Sequence, residues 1–299
     1  MSSAIHFLNT GNSDCIILES DGHFAMIDAA EDNDYPADKP NLNLRGYEKE
    51  VLKYLLDNCK NEYGVVVLDF VLATHCHSDH IGGFDTIINN PQVIVKKAYL
   101  KPYHEENVFF YERKYWDNKE VYEQMKNALD AKSVKIVESF DNLREKLGEF
   151  NIRFLNGEYK KPIFKFGENV NSVVTLVEKD GKKAVLAGDM NYKNGGERKI
   201  AKEIGKVDLL KVGHHGYFGS TSFKLAKTLS PDYAIVCNWE RKMYPDVKFK
   251  LKSIAKSKTL CTADSNGIKA IFDGDKIEIE TNITVSYTHL RAHETRSNL

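Results

Sequence analysis

Thr74-His75-Cys76-His77-Ser78-Asp79-His80-Ile81-Gly82-Gly83 places three imidazoles and a carboxylate within six positions. Such groups are costly to bury unless they bind something. In an extended segment His75 and His77 point the same way, because side chains alternate with period two. A turn after Ser78 brings Asp79 and His80 round to a second position, and the two glycines let the chain bend into a helix. The spacing suits two metal ions a few ångströms apart, His75 and His77 on one, Asp79 and His80 on the other.

Upstream of this stretch, Val65 to Thr74 is a nearly continuous β-branched and aliphatic run interrupted by Asp69, which predicts a strand covered on both faces. Ala4 to Leu8, Asp14 to Glu19 and His23 to Ala29 predict three further strands, with Asp21-Gly22 as a hairpin turn. Leu52, Leu55, Leu56 and Cys59 recur at helical spacing across Tyr47 to Lys60. Downstream, a helix over Gly83 to Asn89 precedes Pro91 and a strand over Val93 to Leu100. A charged, aromatic insert from about 103 to 132 reads as largely helical.

The second half repeats the theme. Strands at Ser172 to Glu178 and Ala184 to Ala187 flank Asp180-Gly181. Helices at Glu197 to Ile204, Ser222 to Leu229 and Val247 to Ser257 alternate with strands at Asp208 to Val212 and Ala234 to Cys237. Ile268 to Phe272 and Lys276 to Glu280 close the pattern around Asp273-Gly274. Strands in hairpins with helices between them predict an α/β chain of two face-to-face sheets with helices outside, in one domain over residues 1–284.

Two more clusters carry chemistry. Leu186-Ala187-Gly188-Asp189-Met190 is an aliphatic strand ending in a carboxylate, a common place for a metal-bridging group, although Gly-Asp is also a frequent turn. Leu209-Leu210-Lys211-Val212-Gly213-His214-His215-Gly216 is another apolar strand ending in polar groups. Adjacent residues on an extended chain diverge, so one of His214 and His215 is expected to meet the metals and the other to face substrate.

Together these residues resemble the metallo-β-lactamase superfamily, whose H-x-H-x-D-H motif is present as His75, His77, Asp79 and His80. The resemblance covers nearly all of residues 4–280 and implies a four-layer αββα sandwich with a dinuclear centre. It implies Asp189 as the bridging aspartate and His214-His215-Gly216 as the segment of the last histidine. His6-Phe-Leu-Asn-Thr-Gly-Asn-Ser-Asp14-Cys-Ile-Ile and Val212-Gly-His-His-Gly216 are similar to the hydrolase domain of the competence DNA-uptake channel family. Glu19-Ser-Asp-Gly-His-Phe-Ala-Met-Ile-Asp28, Leu68-Asp-Phe-Val-Leu-Ala-Thr-His75 and Gly205-Lys-Val-Asp-Leu-Leu210 resemble the teichoic-acid phosphorylcholine esterases. Many superfamily members carry another histidine before the bridging aspartate. Here Asn169 and Asn171 stand in that place, and His104 is the only other candidate.

The resulting expectation is a metal-dependent hydrolase, foremost a phosphodiesterase. The ligands would be His75, His77, Asp79, His80, Asp189 and His215. Asp79 and His214 would be catalytic, with Asp28 and Asn171 supporting the ligands from behind. Two divalent ions are implied, zinc foremost because histidines and aspartates suit it, manganese the alternative. Metal lowers the pKa of bound water to about 7, so hydroxide becomes available as a nucleophile at neutral pH. The esterase likeness makes Tyr115 and Trp116 candidates for a choline cage. A nuclease and a lactone, thioester or β-lactam hydrolase are the enzymatic alternatives, and a non-catalytic binding module is the remaining one.

Composition sets the outer bounds. With 299 residues, 42% hydrophobic and 28% charged, disordered and fibrous classes are excluded. The chain has no apolar run near the ~20 residues of a membrane span and no evident signal peptide, which predicts a cytoplasmic protein. Five cysteines without a C-x-x-C fit reduced thiols. Residues 285–299 resemble a translated sequencing-library adapter and are set aside. Removing Arg291, Arg296 and Glu294 from 42 basic and 43 acidic residues leaves a net charge of −2. That balance argues against a strong nucleic-acid footprint, although Lys96-Lys97 and Lys160-Lys161 could form local patches. A small-molecule or phosphodiester substrate is expected, and nothing specifies an oligomeric state.

Overall fold

Alternation along the first strands decides which side of each residue is core. In Ser3–Phe7, Ile5 and Phe7 point into a cluster that also holds Ile16, Leu18, Ala25 and Ile27, while Cys15, Ile17 and Met26 point to the opposite face. The computed structural model describes residues 3–39, 42–161, 167–192 and 196–283. The adapter-like residues 285–299 lie outside them.

Among the described residues, one sheet runs in the spatial order Lys276–Thr281, Ile268–Asp273, Ser3–Phe7, Cys15–Ser20, His23–Ala29, Val66–Leu72, Lys97–Tyr99 and Lys135–Val137, with Val93–Val95 also pairing with Val66–Leu72. The second runs Lys258–Cys261, Tyr233–Val236, Leu209–Lys211, Lys182–Leu186, Val174–Lys179, Phe150–Leu155 and Arg144–Leu147. Phe7, Phe70, Tyr99, Phe150, Phe154, Leu186, Ile235 and Phe272 fill the space between the sheets. Glu48–Asn58, Phe84–Asn89 and Asn118–Ala131 cover the outer face of the first sheet. Gly196–Ile204, Phe223–Leu229 and Pro245–Phe249 cover the second. This is the expected αββα sandwich. None of the helices is long and apolar enough to cross a membrane.

Asp69 has a structural role in the strand it interrupts. Phe24 pairs with Leu68 and Ala25 with Phe70, so Asp69 is the extra residue of a bulge. The bulge shifts the alternation: Leu68 faces the outer helices, while Phe70 and Leu72 face the space between the sheets. Asp69 itself sits at the surface, accepting hydrogen bonds from His23 and Lys96 at 2.6 and 2.5 Å.

Several elements differ from expectation. Val93 to Leu100 is two strands separated at Lys96, and the helix over Val247 to Ser257 is a short α-helix followed by a π-helical turn, Lys250–Ala255. The hairpin Arg144–Leu147 with Phe150–Leu155 and the strands Lys135–Val137 and Lys258–Cys261 had no counterpart in the sequence reading. Arg144-Glu-Lys-Leu147 buries only Leu147 fully, so little apolar periodicity marks it. At the turn, Gly148 has φ +52° and a Cβ there would lie 2.2 Å from the Ser20 carbonyl oxygen.

Parallel pairing places the functional segments. His23–Ala29 and Val66–Leu72 run parallel, as do Lys182–Leu186, Leu209–Lys211 and Tyr233–Val236. Their carboxyl ends therefore open on one edge of the sandwich, delivering Asp28, the His75–His80 segment, Asp189 and His214-His215 to a common place.

Candidate metal centre

Three of the four loops at this edge, all but the His75–His80 segment, bend through left-handed backbone. Asp28 and Ala30 have φ of +56° and +65°, Gly188 has +51°, and His214 and His215 have +48° and +49°. Left-handed conformations of non-glycine residues are unfavourable and gather at functional sites. The consecutive pair at 214–215 is a tight turn, not the extended segment expected, and it sends the two imidazoles apart. His215 enters the cluster. His214 lines the cavity beside it, with Nδ1 buried and unpartnered.

Hydrogen bonds behind the ligands assign the tautomers. Asp28 accepts from the Thr74 N–H at 2.8 Å, the Thr74 hydroxyl at 2.7 Å and His80 Nδ1–H at 2.7 Å. His80 Nε2 is thus left as a lone pair. His215 Nδ1–H donates to the Cys237 carbonyl at 3.2 Å and lies 3.4 Å from Asp14 Oδ1, which leaves its Nε2 free also. The two Nε2 atoms are 3.2 Å apart, and each is 3.2 Å from Asp189 Oδ1, which has no hydrogen-bond partner. Asp79 Oδ2 is 3.2 Å from His215 Nε2.

On the other side, His75 Nδ1–H donates to Thr74 Oγ1 at 3.1 Å and His77 Nε2–H to Glu112 Oε1 at 2.6 Å. Their remaining nitrogens, His75 Nε2 and His77 Nδ1, face each other at 3.1 Å. Ring nitrogens and a carboxylate oxygen that converge in this way call for positive charge among them, which His80 and His215 supply as protons when no metal ion does. His75, His77 and Asp189 form one group of donors within 4.8 Å of one another, and Asp79, His80 and His215 a second. The donor set fits two divalent ions, with Asp189 touching both halves.

The electrostatics carry the same signature. Burial alone would lower His80 and His215, but the carboxylates of Asp189, Asp28, Asp79 and Asp14 outweigh it and hold both well above the usual histidine range. Burial would raise Asp189; His215 and His80 hold it well below the usual carboxylate range instead. Burial, helped by the neighbouring His80 and His77, pushes His75 far down.

The sequence reading did not pick out as site residues Asp14, Lys211 or Glu112. Asp14 and Lys211 are both fully buried and ion-paired, and Lys211 also donates to the Gly188 carbonyl at 2.9 Å. The pair thereby ties the Asp189 loop to the His215 side of the cluster. Removing one partner of a buried pair leaves an uncompensated charge. Lys211→Met is therefore expected to destabilise the fold by about 3–5 kcal/mol, read as a loss in urea-unfolding free energy; a change under about 1 kcal/mol would contradict this. Burial would raise Asp14, but Lys211 together with His215 and His80 outweighs it and holds Asp14 below the usual carboxylate range. The contribution of Asp14 is accordingly complete above an unfolded pKa of about 3.9 and is lost as pH falls below it.

Asn171 turns from the histidines: its Nδ2 donates to Glu168 at 3.3 Å and its Oδ1 accepts from the Lys160 N–H at 2.8 Å. His104 lies outside the cluster, stacked on Tyr159 with ring centroids 4.5 Å apart. Trp116 packs on the His77 ring at 4.6 Å and lines the cavity, whereas Tyr115 stacks on Tyr111 at 4.6 Å and is not among the lining residues. That cavity measures about 250 Å³ and opens on Asp79, Asp189, His214 and His215; Glu31, Asp117, Tyr217, Leu42 and Leu44 are among the other residues of its wall.

The chain is similar to several known proteins. The family model described as metallo-beta-lactamase superfamily matches residues 8–238. Recombination protein 2 of Haemophilus influenzae is 39% identical over 118 residues, which are 38% of this chain and 14% of that protein. ComE operon protein 3 of Bacillus subtilis is 27% identical over 186 residues, 60% of this chain and 21% of that protein. The chain thus spans about a fifth or less of the length of these relatives. Among solved structures, the metallo-beta-lactamase fold protein YhfI of Bacillus subtilis aligns over 91% of this chain and all of its own, with a TM-score of 0.56 at 12% identity. Igni18, a metallo hydrolase of Ignicoccus hospitalis, aligns over 90% of this chain and 99% of its own, with a TM-score of 0.50 at 18% identity.

Proposed function

Because the chain belongs to the metallo-β-lactamase superfamily, we propose that its metal-dependent hydrolase chemistry is directed at a phosphodiester of small size, of the phosphorylcholine-ester type. The observation that carries the hydrolase reading is the convergence of His80 Nε2, His215 Nε2 and Asp189 Oδ1 at 3.2 Å separations beside the His75–His77 pair. Two divalent ions there, zinc in view of the imidazole-rich set, would activate water and neutralise charge on a phosphoryl group. Around them the chain's own residues do the positioning. Asp28 fixes the His80 ring and Asp14 stands behind His215. Asp79 turns a carboxylate oxygen to the cavity floor. His214, kept neutral by burial, can give a hydrogen bond to a substrate oxygen from the cavity side.

The cavity supports a small substrate over a long polyanion. Its described lining has no lysine or arginine but includes Glu31, Asp79, Asp117 and Asp189, the reverse of a nucleic-acid track. The aromatic faces of Trp116 and Tyr217 in this lining suit a quaternary ammonium held beside a metal-bound phosphate. Five buried, unpaired cysteines fit a reducing compartment and support the cytoplasmic reading. The likeness of residues 6–17 and 212–216 to the competence DNA-uptake channel family favours a nuclease as second reading, so linear DNA belongs in the same assay, with a lactone and a β-lactam.

Bis-p-nitrophenyl phosphate should be hydrolysed by the zinc- or manganese-loaded protein. p-Nitrophenyl phosphorylcholine should be preferred at least tenfold, about 1.4 kcal/mol, over a diester of equal size lacking the trimethylammonium, and Trp116→Ala should abolish the preference. Equal rates on both substrates would remove the choline reading; DNA cleavage without diester turnover would replace it by the nuclease.

A further inference from the structure

The helix Phe110–Tyr115 turns an acid, not an aromatic ring, towards the protein: Glu112 is its buried residue, while Phe110, Tyr111 and Tyr115 are exposed. A buried carboxylate is stable only with partners, and Glu112 has two kinds. Its oxygens accept from the Glu168 N–H at 3.2 and 3.3 Å, and Oε1 accepts from His77 Nε2–H at 2.6 Å. The seat is shaped for it. Gly167 adopts φ +57°, and a Cβ at that position would overlap the Glu112 carboxylate. One turn on, Trp116 closes over the same His77 ring at 4.6 Å.

We propose that Glu112 is a positioning residue for the half-site formed by His75 and His77. By holding His77 through Nε2–H it presents the Nδ1 lone pair beside His75 Nε2, and so ties the seating of the aromatic insert to the loading of that half-site. This rests on the two-ion reading of the centre. A carboxylate behind a ligand histidine fixes ring orientation and raises its basicity, and losing such a partner typically costs 10–100-fold in metal affinity. A merely structural role would stabilise the insert without distinguishing one half-site from the other.

The test is zinc competition against a chromophoric chelator with the full chain, comparing wild type, Glu112→Ala and Glu112→Gln. In Glu112→Ala one of the two ions is expected to bind 10–100-fold more weakly, the other within twofold of wild type. In the cobalt-loaded protein, the shifted, exchangeable ring N–H proton of His77 should be seen by NMR in wild type and in Glu112→Gln, and be lost in Glu112→Ala. Unchanged affinities for both ions, or equal weakening of both, would overturn the proposal. If Glu112→Ala does not fold, Glu112→Gln decides: threefold or greater weakening confined to one ion supports it, and none overturns it. A wild type that takes up no ions would sink the two-ion reading itself, whereas two ions bound alike in wild type and Glu112→Ala would sink only the role of Glu112.

Discussion

Asp189→Asn is expected to lower turnover by about 10³-fold or more, on the order of 4 kcal/mol of transition-state stabilisation, while leaving the circular dichroism of the protein unchanged. Asp189 Oδ1 stands 3.2 Å from both His80 Nε2 and His215 Nε2, and the Asp189 carboxylate also lies within 4.8 Å of ligand nitrogens of His75 and His77, so it is the acceptor common to the two halves. An amide keeps the shape but not the charge, and it can turn an N–H towards nitrogen lone pairs. The loss should therefore come with less than two ions per chain by elemental analysis. The main-chain bond from the Asp189 N–H to Ser172 Oγ, at 3.1 Å, does not depend on the side chain and should keep the loop in place. A variant within tenfold of wild type that retained two ions would reduce Asp189 to an ordinary turn residue.

His80→Ala should destabilise the fold as much as Lys211→Met. The ring is fully buried between Asp28 on one side and Asp189 on the other. Measured on the metal-free protein, so that lost ions do not enter, its removal leaves carboxylates facing one another without a cation. Breaking such a buried arrangement costs about 3–5 kcal/mol, a fall in Tm of roughly 10 °C for a chain of this size. Adding Asp28→Asn should restore part of it, because the double variant no longer buries the unpaired charge. A double variant less stable than His80→Ala alone would show that Asp28 matters chiefly through its two bonds from Thr74.

Legibility in the sequence followed locality. The segment from His75 to His80 was readable because four metal-binding groups sit within six positions, where chance rarely places them. Asp189 and the 214–215 pair were readable because each ends an apolar strand. Asp14 and Lys211 lie 197 positions apart, and neither signals burial: a lysine ending the run Leu209–Lys211 looks like a strand meeting solvent. Glu112 sits among exposed aromatics, so its helix reads inside out. The hairpin at 144–155 was missed for a related reason, since charges occupy most of its first strand and the turn glycine at 148 is demanded by a distant carbonyl. The elements with a clear hydrophobic period keep their order, whereas the strands Lys135–Val137, Arg144–Leu147, Phe150–Leu155 and Lys258–Cys261, which lack one, went unread.

The unequal spread of the ligands along the chain has a thermodynamic consequence. His75, His77, Asp79 and His80 are contiguous, so they remain a chelating peptide even when the protein is denatured. Asp189 and His215 join them only after both sheets have met. Ligand-induced stabilisation reflects the difference between native and denatured affinities. Added zinc should therefore raise the unfolding midpoint by less than its native-state affinity implies, and a zinc titration of the urea-denatured chain should account for the shortfall. It also means that an ion can be captured before the fold is complete, with the distant aspartate and histidine closing round a partner already aboard.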